Sequence, residues 1–281
     1  MPSLVRTYLF AYIRFAKTIA VAWKVHTTFA KAIAAVEACF IGLWLGVLTR
    51  ERLYGVDEEF YSTSKLTEIA GEPDYHSKEY NRRGLWDFEK KVLADYFSGC
   101  RRLLVIAVGG GREVLALQRL EYEVDGFESH PGLVAAANEL LRAEGYDSVV
   151  RHVPRDEGPN TGITYDGIII GWGAYMLVQG RKRRIALLQQ LRAQTQAQCP
   201  LLLSFFNRPN RFDISDKICI SVANMIRRVL RQEPAEWGDW LSPFYLHYLT
   251  RDEVTSELSE GGFRLVHYRT KGYGHAVGIA A

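Results

Sequence analysis

The stretch Leu103 to Leu117, LLVIAVGGGREVLAL, carries the strongest fold signal in this chain. Four apolar residues, Leu103 to Ile106, are typical of a buried strand, and Gly109 to Gly111 follow at its end. From Glu113 onward the apolar residues return at helical spacing. Glycine lets a backbone approach a ligand closely, and a helix start offers free N–H groups. This strand, turn and helix therefore predict a nucleotide site.

An acid further along the chain strengthens that prediction. Val124 to Glu128 is predicted to be a second strand, and Glu128 follows Gly111 by seventeen residues. In dinucleotide-binding folds an acid about twenty residues past the glycines accepts hydrogen bonds from the ribose hydroxyls. The alternative, for the turn taken alone, is a tight connection between strand and helix with no ligand.

On these residues the sequence resembles the class I S-adenosylmethionine-dependent methyltransferases. The resemblance rests on Val105 to Glu113 as the glycine motif, Glu128 as the ribose acid and Tyr165 to Ile170 as the fourth strand, and it continues to Ala281. Within the family it is similar to the branch whose glycine loop continues into Arg112-Glu113. It implies S-adenosylmethionine as the cofactor.

Two positions depart from the family pattern. The acid that usually stands two residues before the first glycine is Val105 here, and the first glycine itself is Ala107. These departures leave open a catalytically silent cofactor-fold subunit that binds a partner through its N-terminal helices. A NAD(P)-dependent oxidoreductase with the same turn and acid is another alternative.

The order of the predicted elements indicates the fold class. Five strands alternate with helices, and a helix after Thr250 and a hairpin from Phe263 to Ala280 complete the chain. We expect an α/β fold: a Rossmann-like seven-stranded methyltransferase sheet with helices on both faces, a terminal antiparallel hairpin and an N-terminal helical extension. The extension is expected at residues 1–55 and the methyltransferase domain at 56–281, with a substrate-side insertion at 207–248.

The resemblance also implies which residues bind the cofactor. Gly171 and Trp172 end the fourth strand, and Asp156 follows the third, where related methyltransferases place an acid on the adenine amino group. A solvated loop acid is the alternative for Asp156. The implied cofactor-binding residues are Ala107, Gly109, Gly110, Gly111, Glu113, Glu128, Asp156, Gly171 and Trp172.

Four aromatic residues are candidates for contact with the acceptor. They are Tyr80 in a lid before the first strand, Tyr175 after the fourth strand, and Trp240 and Tyr245 in the insertion. Packing of these rings on the protein core is the alternative.

The chemistry needs a base only for some acceptors. Methyl transfer from a sulfonium is an in-line displacement, so positioning in a dry pocket supplies much of the rate. For a hydroxyl acceptor a neutral imidazole can take the proton, and His76 and His247 are the candidate catalytic residues. No Asn-Pro-Pro-Tyr motif follows the fourth strand. We therefore expect O-methylation of a small-molecule or peptidic acceptor, as in specialised metabolism.

The charge distribution limits the classes of partner that we expect. The net charge is +3, but residues 1–50 hold six basic residues and one acid, so residues 51–281 carry about −2. A nucleic-acid partner requires a basic stripe beside the site, so none is expected.

The cysteines are scattered and lack metal-ligand spacing, which favours a reducing, cytoplasmic setting and no metal site. They are Cys39, Cys100, Cys199 and Cys219.

Residues 3–49 are predicted to form one long helix or two. Apolar residues recur at helical spacing, and basic residues line another face: Arg14, Lys17, Lys24 and Lys31. The run from Ala32 to Thr49 is almost wholly apolar, and within it Gly42 and Gly46 form a G-x-x-x-G. Three interpretations stay open: a helical cap on the domain or on a partner, including a second copy; a membrane-surface anchor for an enzyme with a lipid-like acceptor; and a membrane span.

Overall fold

The computed structural model describes residues 2–22, 27–62, 64–71, 73–147, 149–208, 213–271 and 273–281. Its helices are α1 (Pro2–Ala22), α2 (Thr27–Val47), α3 (Arg50–Ser62), α4 (Ser64–Ala70), α5 (Lys78–Asn81), α6 (Asp87–Tyr96), α7 (Arg112–Arg119), α8 (Pro131–Ala143), α9 (Arg181–Arg192), α10 (Ile214–Val229) and α11 (Arg251–Glu260). Its strands are β1 (Arg102–Ile106), β2 (Glu123–Glu128), β3 (Val150–His152), β4 (Gly167–Ile170), β5 (Pro200–Phe205), β6 (Asp239–Leu241), β7 (Tyr245–His247), β8 (Phe263–Arg269) and β9 (Gly274–Ala280).

The chain divides into two compact units. Unit 1 comprises residues 1–72 and 208–248, and unit 2 comprises residues 73–207 and 249–281. The boundary expected at residues 55 and 56 lies within α3. Residues 56–72 and almost all of the insertion therefore group with the N-terminal helices in unit 1, and the sheet belongs to unit 2.

Unit 2 is built on a seven-stranded sheet with the strand order β3-β2-β1-β4-β5-β9-β8. Strands β1 to β5 pair in parallel, and β9 runs antiparallel between β5 and β8. The predicted seven-stranded methyltransferase sheet with its terminal hairpin is confirmed. Val105, at the position where the family has an acid, is fully buried in the core of β1.

Local sequence signals position the elements of this sheet. Thr250 caps α11, because its hydroxyl accepts from the Glu253 backbone N–H while the Glu253 carboxylate accepts from the Thr250 N–H at 2.7 Å. The apolar residues of β1 and β4 are buried on both faces, as expected for central parallel strands. These strands end together, which places their following loops at one edge of the sheet.

Unit 1 contains α1 to α4, α10 and the β6–β7 hairpin. Helices α2 and α10 cross closely: a Cβ at Gly42 would lie 2.6 Å from the Cys219 carbonyl oxygen, and one at Gly46 would lie 2.8 Å from Ile226 Cβ. Buried Arg227 on α10 donates to the Leu45 carbonyl at 2.8 Å, near the end of α2, where carbonyls lack intrahelical partners. The G-x-x-x-G therefore packs two helices within this chain.

The N-terminal segment forms two helices, α1 and α2, as one of the two predictions had it, and Lys24 lies outside the described residues. Among the described residues, no helix is by itself long and apolar enough to cross a bilayer. The segments Lys31–Val47 and Arg50–Ser62, bent by 114° relative to each other, satisfy those criteria only as a pair.

Candidate cofactor site

The loop after β1 has an unusual backbone that is open on one side. Ala107, Gly109 and Gly111 all have left-handed φ angles, of 53°, 55° and 95°. A Cβ at Gly110 would lie 2.0 Å from the Tyr75 carbonyl oxygen, so only glycine fits there. A Cβ built on Gly109 meets no atom within 4 Å. The loop is therefore covered at Gly110 and leaves space for a ligand at Gly109.

Glu128, at the end of β2, is held against this loop. One carboxylate oxygen accepts the Gly109 N–H at 2.8 Å, and the other accepts the backbone N–H groups of Ser129 at 2.8 Å and His130 at 2.9 Å. The Ser129 hydroxyl also donates, at 3.4 Å, to the oxygen that accepts from Ser129 and His130. The oxygen that accepts from Gly109 keeps a free acceptor site for a hydroxyl group. The structure thus brings together the glycine loop and the acid that the sequence paired.

A buried charge cluster lies behind the start of α7. Arg112 makes a bidentate ion pair with Glu89, with two N–O distances of 2.8 Å, and also contacts Glu113; all three are buried. Burial opposes the charge of Arg112, but Glu113 and Glu89 outweigh it and raise its pKa. Burial raises the pKa of Glu89, and the hydrogen bonds from Arg112 oppose that shift. The bidentate geometry is that of an ionised pair.

The sequence does not reveal this cluster. Arg112 lies with its guanidinium carbon 4.7 Å from the centre of the Trp86 ring, and it donates to the Gly84 carbonyl at 2.8 Å. Glu89 is 23 positions upstream of Arg112 and shows only the acid expected in a first helical turn. Residues 84–89 therefore contact Arg112 at the start of α7, and no local sequence pattern predicts these contacts.

Gly171 and Trp172 join the same edge of the sheet. A Cβ on Gly171 would lie 2.0 Å from the Ala107 carbonyl oxygen, so the ends of β1 and β4 touch at this point. The Trp172 backbone N–H donates to Glu113 at 3.2 Å. The Trp172 ring lies edge-on to Tyr273, at 5.0 Å, and to Phe206, at 6.5 Å. Tyr273 and Phe206 were not predicted as site residues, because they come from two separate loops.

The segment before α6 covers the glycine loop, as expected of a lid. The Asn81 amide donates to the Tyr75 carbonyl at 2.8 Å, and this pair lies against Gly110. Tyr80 packs inside the segment, with its ring 5.6 Å from that of Tyr75, and burial raises the pKa of Tyr80 to about 12. The ring of His76 lies 6.1 Å from that of His130, beside the acid end of β2.

Asp156 lies in the loop that follows β3 and is half-buried, with a left-handed φ of 60°. Its place at the carboxyl end of β3 agrees with the expected position of the adenine acid. The contact with adenine itself stays a prediction.

Tyr175 is not available to a substrate, so its predicted role needs correction. Its side chain is 0% exposed, and its hydroxyl donates to Glu257 at 2.7 Å. Glu257 is also paired with buried Arg184, at 2.8 Å. Burial raises the pKa of Tyr175 well above its usual range. Tyr175 therefore anchors the short 3-10 helix Ala174–Leu177 to α11.

Three other candidates, His247, Tyr245 and Trp240, belong to unit 1. His247 is 0% exposed, with Nδ1 2.7 Å from Asp239, and the Tyr245 hydroxyl donates to the same carboxylate oxygen at 2.6 Å. Burial opposes ionisation of Asp239, but the hydrogen bonds from His247 and Tyr245 outweigh it and lower its pKa. Trp240 is half-buried opposite Leu246 in the β6–β7 ladder. For Tyr245 this geometry supports the alternative of core packing.

Within the described part of the chain, Glu236, Asp239 and His247 have potential metal-ligand atoms that all lie within 4.8 Å of one another. The second oxygen of Asp239 accepts the Glu236 backbone N–H at 2.8 Å. Hydrogen bonds to both carboxylate oxygens therefore account for the arrangement without an ion.

Several solved structures with the same architecture as this chain are methyltransferases. One is an amino pentose methyltransferase of Micromonospora echinaspora involved in calicheamicin biosynthesis, with S-adenosylmethionine bound. It has 16% sequence identity and a TM-score of 0.53, and the match covers 77% of this chain and 96% of that one. A second is a methyltransferase of Methanosarcina mazei, at 15% identity and a TM-score of 0.54, covering 70% and 98%.

A third is the magnesium protoporphyrin IX methyltransferase of Synechocystis with bound S-adenosylmethionine, at 11% identity and a TM-score of 0.51, covering 82% of this chain and 97% of that one. The fold is that of the class I methyltransferases. No protein-family model and no curated protein matches the sequence. The likeness at these identities is one of fold.

Proposed function

We propose that this chain is an S-adenosylmethionine-dependent methyltransferase. The observation that carries the proposal is the left-handed glycine loop held against Glu128 at the carboxyl ends of β1 and β2. In this proposal Glu128 accepts the ribose hydroxyls, the open side of Gly109 admits the cofactor, and Asp156 faces adenine. The cofactor supplies a methyl group on a positively charged sulfur.

The charges around the loop support this cofactor. Glu89, Arg112 and Glu113 together have a formal charge of −1, and Glu128 adds another carboxylate. Negative charge in a buried setting favours a ligand that carries a sulfonium cation. The start of α7 offers backbone N–H groups to the carboxylate of the same ligand. The Arg112-Glu113 pair is thus proposed to serve the methionine end of the cofactor.

We infer O-methylation of a small-molecule or peptidic acceptor as the reaction. Trp172, Phe206 and Tyr273 form an aromatic wall beside the ends of β4 and β5, which suits a planar or apolar acceptor. Two of the structural neighbours are named for small molecules, an amino pentose and magnesium protoporphyrin IX. The sequence after β4, Gly171-Trp172-Gly173-Ala174, lacks the Asn-Pro-Pro-Tyr motif.

Calorimetric titration tests the cofactor assignment. The full chain is titrated with S-adenosylmethionine, S-adenosylhomocysteine, NADH and NADPH, and the titrations are repeated with Glu128→Gln. The substitution replaces a charged acceptor by an amide, which weakens binding by about 10- to 100-fold. Glu123→Gln is the matched control, because it makes the same change at the exposed opposite end of β2.

We expect the two sulfur ligands to bind the wild type and Glu123→Gln, and to lose affinity in Glu128→Gln. Binding of NADH or NADPH without the sulfur ligands would instead support an oxidoreductase. Binding of none of the four would support the silent subunit.

A further inference from the structure

The outward face of α2 is an uninterrupted apolar stripe. Its exposed positions after Lys31 are spaced by four or three residues, so they lie on one side of the helix: Ala32, Val36, Cys39, Leu43 and Val47. Val36 is 59% exposed, Leu43 is 50% exposed and Val47 is 39% exposed. Soluble helices normally turn charged or polar residues to this side.

Two helices flank the stripe. On the side of Phe40 and Trp44, α2 contacts α1, with ring distances of 4.9 Å from Phe40 to Phe15 and 5.1 Å from Trp44 to Tyr8. On the side of Gly42 and Gly46 it contacts α10. With about 3.6 residues per turn, these two sides lie to the left and right of the stripe. The exposed sides of α1 and α10 therefore border the stripe.

Helix α10 adds apolar side chains to the stripe. On α10, Met225 is 64% exposed and Val229 is 77% exposed. We call the exposed residues of α1, α2 and α10 the docking face. Several large apolar side chains exposed together on one surface are typical of an interaction site.

The charge of the docking face has one sign. Among the described residues of these three helices, every exposed charged side chain is cationic: Arg6, Arg14, Lys17, Lys31, Lys217 and Arg228. Arg6 is paired with Glu59 on α3. The acids Glu37 and Asp216 within these helices are half-buried, and exposed Asp213 caps the start of α10. The first 36 residues of the chain contain no acid.

We propose that the docking face binds the surface of an anionic lipid bilayer. Helices with an apolar face bordered by lysine and arginine lie in the interfacial plane, where the apolar groups enter the acyl boundary and the cations meet lipid phosphates. A second copy of the chain is a poorer occupant, because a two-fold contact through this face would set the same cations against one another. The proposal concerns unit 1 alone and stands whether or not unit 2 transfers methyl groups.

Vesicle flotation tests the proposal with the full chain. Vesicles of phosphatidylcholine alone are compared with vesicles that also contain phosphatidylserine, at low and high salt. The variant Val36→Ser/Leu43→Ser removes two exposed apolar side chains, which lowers binding by about tenfold or more. Leu120→Ser is the matched control, since Leu120 is 57% exposed in unit 2. Lys217→Gln/Arg228→Gln lowers binding to the anionic vesicles by about fivefold per charge.

A label on Cys39 gives a second readout in which Val36 and Leu43 stay unchanged. Cys39 is exposed on the stripe, and the other cysteines are buried or half-buried. An environment-sensitive fluorophore on Cys39 is expected to shift to the blue on anionic vesicles, while the same fluorophore on a Leu120→Cys/Cys39→Ser variant stays unchanged.

Three results would overturn the proposal. The first is no flotation with anionic vesicles, and the second is equal flotation of the wild type and Val36→Ser/Leu43→Ser. The third is a concentration-dependent dimer in light scattering that Val36→Ser/Leu43→Ser abolishes, which would assign the face to a second copy.

Discussion

At the scale of single residues, Ala107 shows what a departure from the family pattern costs. It stands where the methyltransferases that the sequence resembles have the first glycine of the loop, and its φ of 53° lies in the left-handed region. This conformation costs an alanine roughly 1–2 kcal/mol, because its Cβ crowds the following carbonyl oxygen. The loop therefore adopts a left-handed backbone at Ala107, although the side chain disfavours it.

Ala107→Gly is expected to raise the free energy of unfolding by about 0.5–1 kcal/mol. Glycine removes the left-handed strain from the folded state, and it also increases the conformational entropy of the unfolded chain. The first effect on the free energy of unfolding is the larger one. Urea denaturation of the full chain measures the change. Ala135→Gly, on the exposed side of α8, is the control and should lower stability by about 1 kcal/mol. Similar losses in both variants would mean that Ala107 is unstrained.

At the scale of elements, the crossing of α2 and α10 holds unit 1 together through two glycines. We expect Gly42→Ala to lower the free energy of unfolding by about 1–3 kcal/mol, because the new Cβ would lie 2.6 Å from the Cys219 carbonyl and force the helices apart. Gly55→Ala in α3 is the control, since its Cβ would meet only Val5 Cγ2, at 3.9 Å.

The gain in helix propensity should leave Gly55→Ala neutral or stabilised by up to about 1 kcal/mol. Thermal unfolding followed by circular dichroism compares the two variants. If Gly42→Ala unfolds at the temperature of Gly55→Ala, the close helix contact is incorrect.

The terminal hairpin carries a pair of histidines whose titration should make stability depend on pH. His267 and His275 stack at 5.1 Å, and Phe88 stacks on His275 at 4.6 Å. Burial lowers the pKa of both. The charges of His275 and Arg269 lower the pKa of His267 further. For His275 the hydrogen bond to the Tyr273 carbonyl opposes the shift, and Arg269 adds to it. The fold therefore favours the neutral imidazoles.

The sign of the pH effect follows from these shifts. The unfolded chain binds protons near pH 6.5, before the folded chain does, so stability is full above that pH and falls as the pH drops through the lower folded pKa values. His275→Phe keeps a ring on Phe88 and removes one titrating group. Urea denaturation at about pH 7.5 and about pH 5.5 measures how much the free energy of unfolding falls between the two pH values. We expect that fall to be smaller in the variant than in the wild type. Equal losses would show that His275 does not titrate in this range.

At the scale of the whole molecule, the sheet of unit 2 could be predicted because its signals are local. The apolar run from Leu103 to Ile106 and the glycines after it mark β1, which spans Arg102–Ile106. The Thr250 capping box marks the start of α11. Each signal lies within a few residues of the element that it predicts.

The role of Tyr175 and the makeup of unit 1 could not be predicted, because both depend on contacts between distant parts of the chain. Tyr175 follows the end of β4, where residues of α/β folds generally face a ligand crevice. Its hydroxyl instead donates to Glu257, 82 positions away. Arg227 meets the end of α2 across 182 positions, so the insertion joins the N-terminal helices. A hydrophobic period predicts that a helix has an apolar side, but it carries no information about which distant segment covers that side.

Hydrogen exchange of the full chain with and without S-adenosylhomocysteine tests the cofactor assignment, because it reports where the ligand binds. We expect slower exchange in peptides that contain the loop Ala107–Gly111, the end of β2 at Glu128, and the lid at residues 73–86. Glu128→Gln should lose this protection. Unchanged exchange in these peptides at saturating ligand, or protection confined to other parts of the chain, would contradict the assignment of the cofactor to this loop.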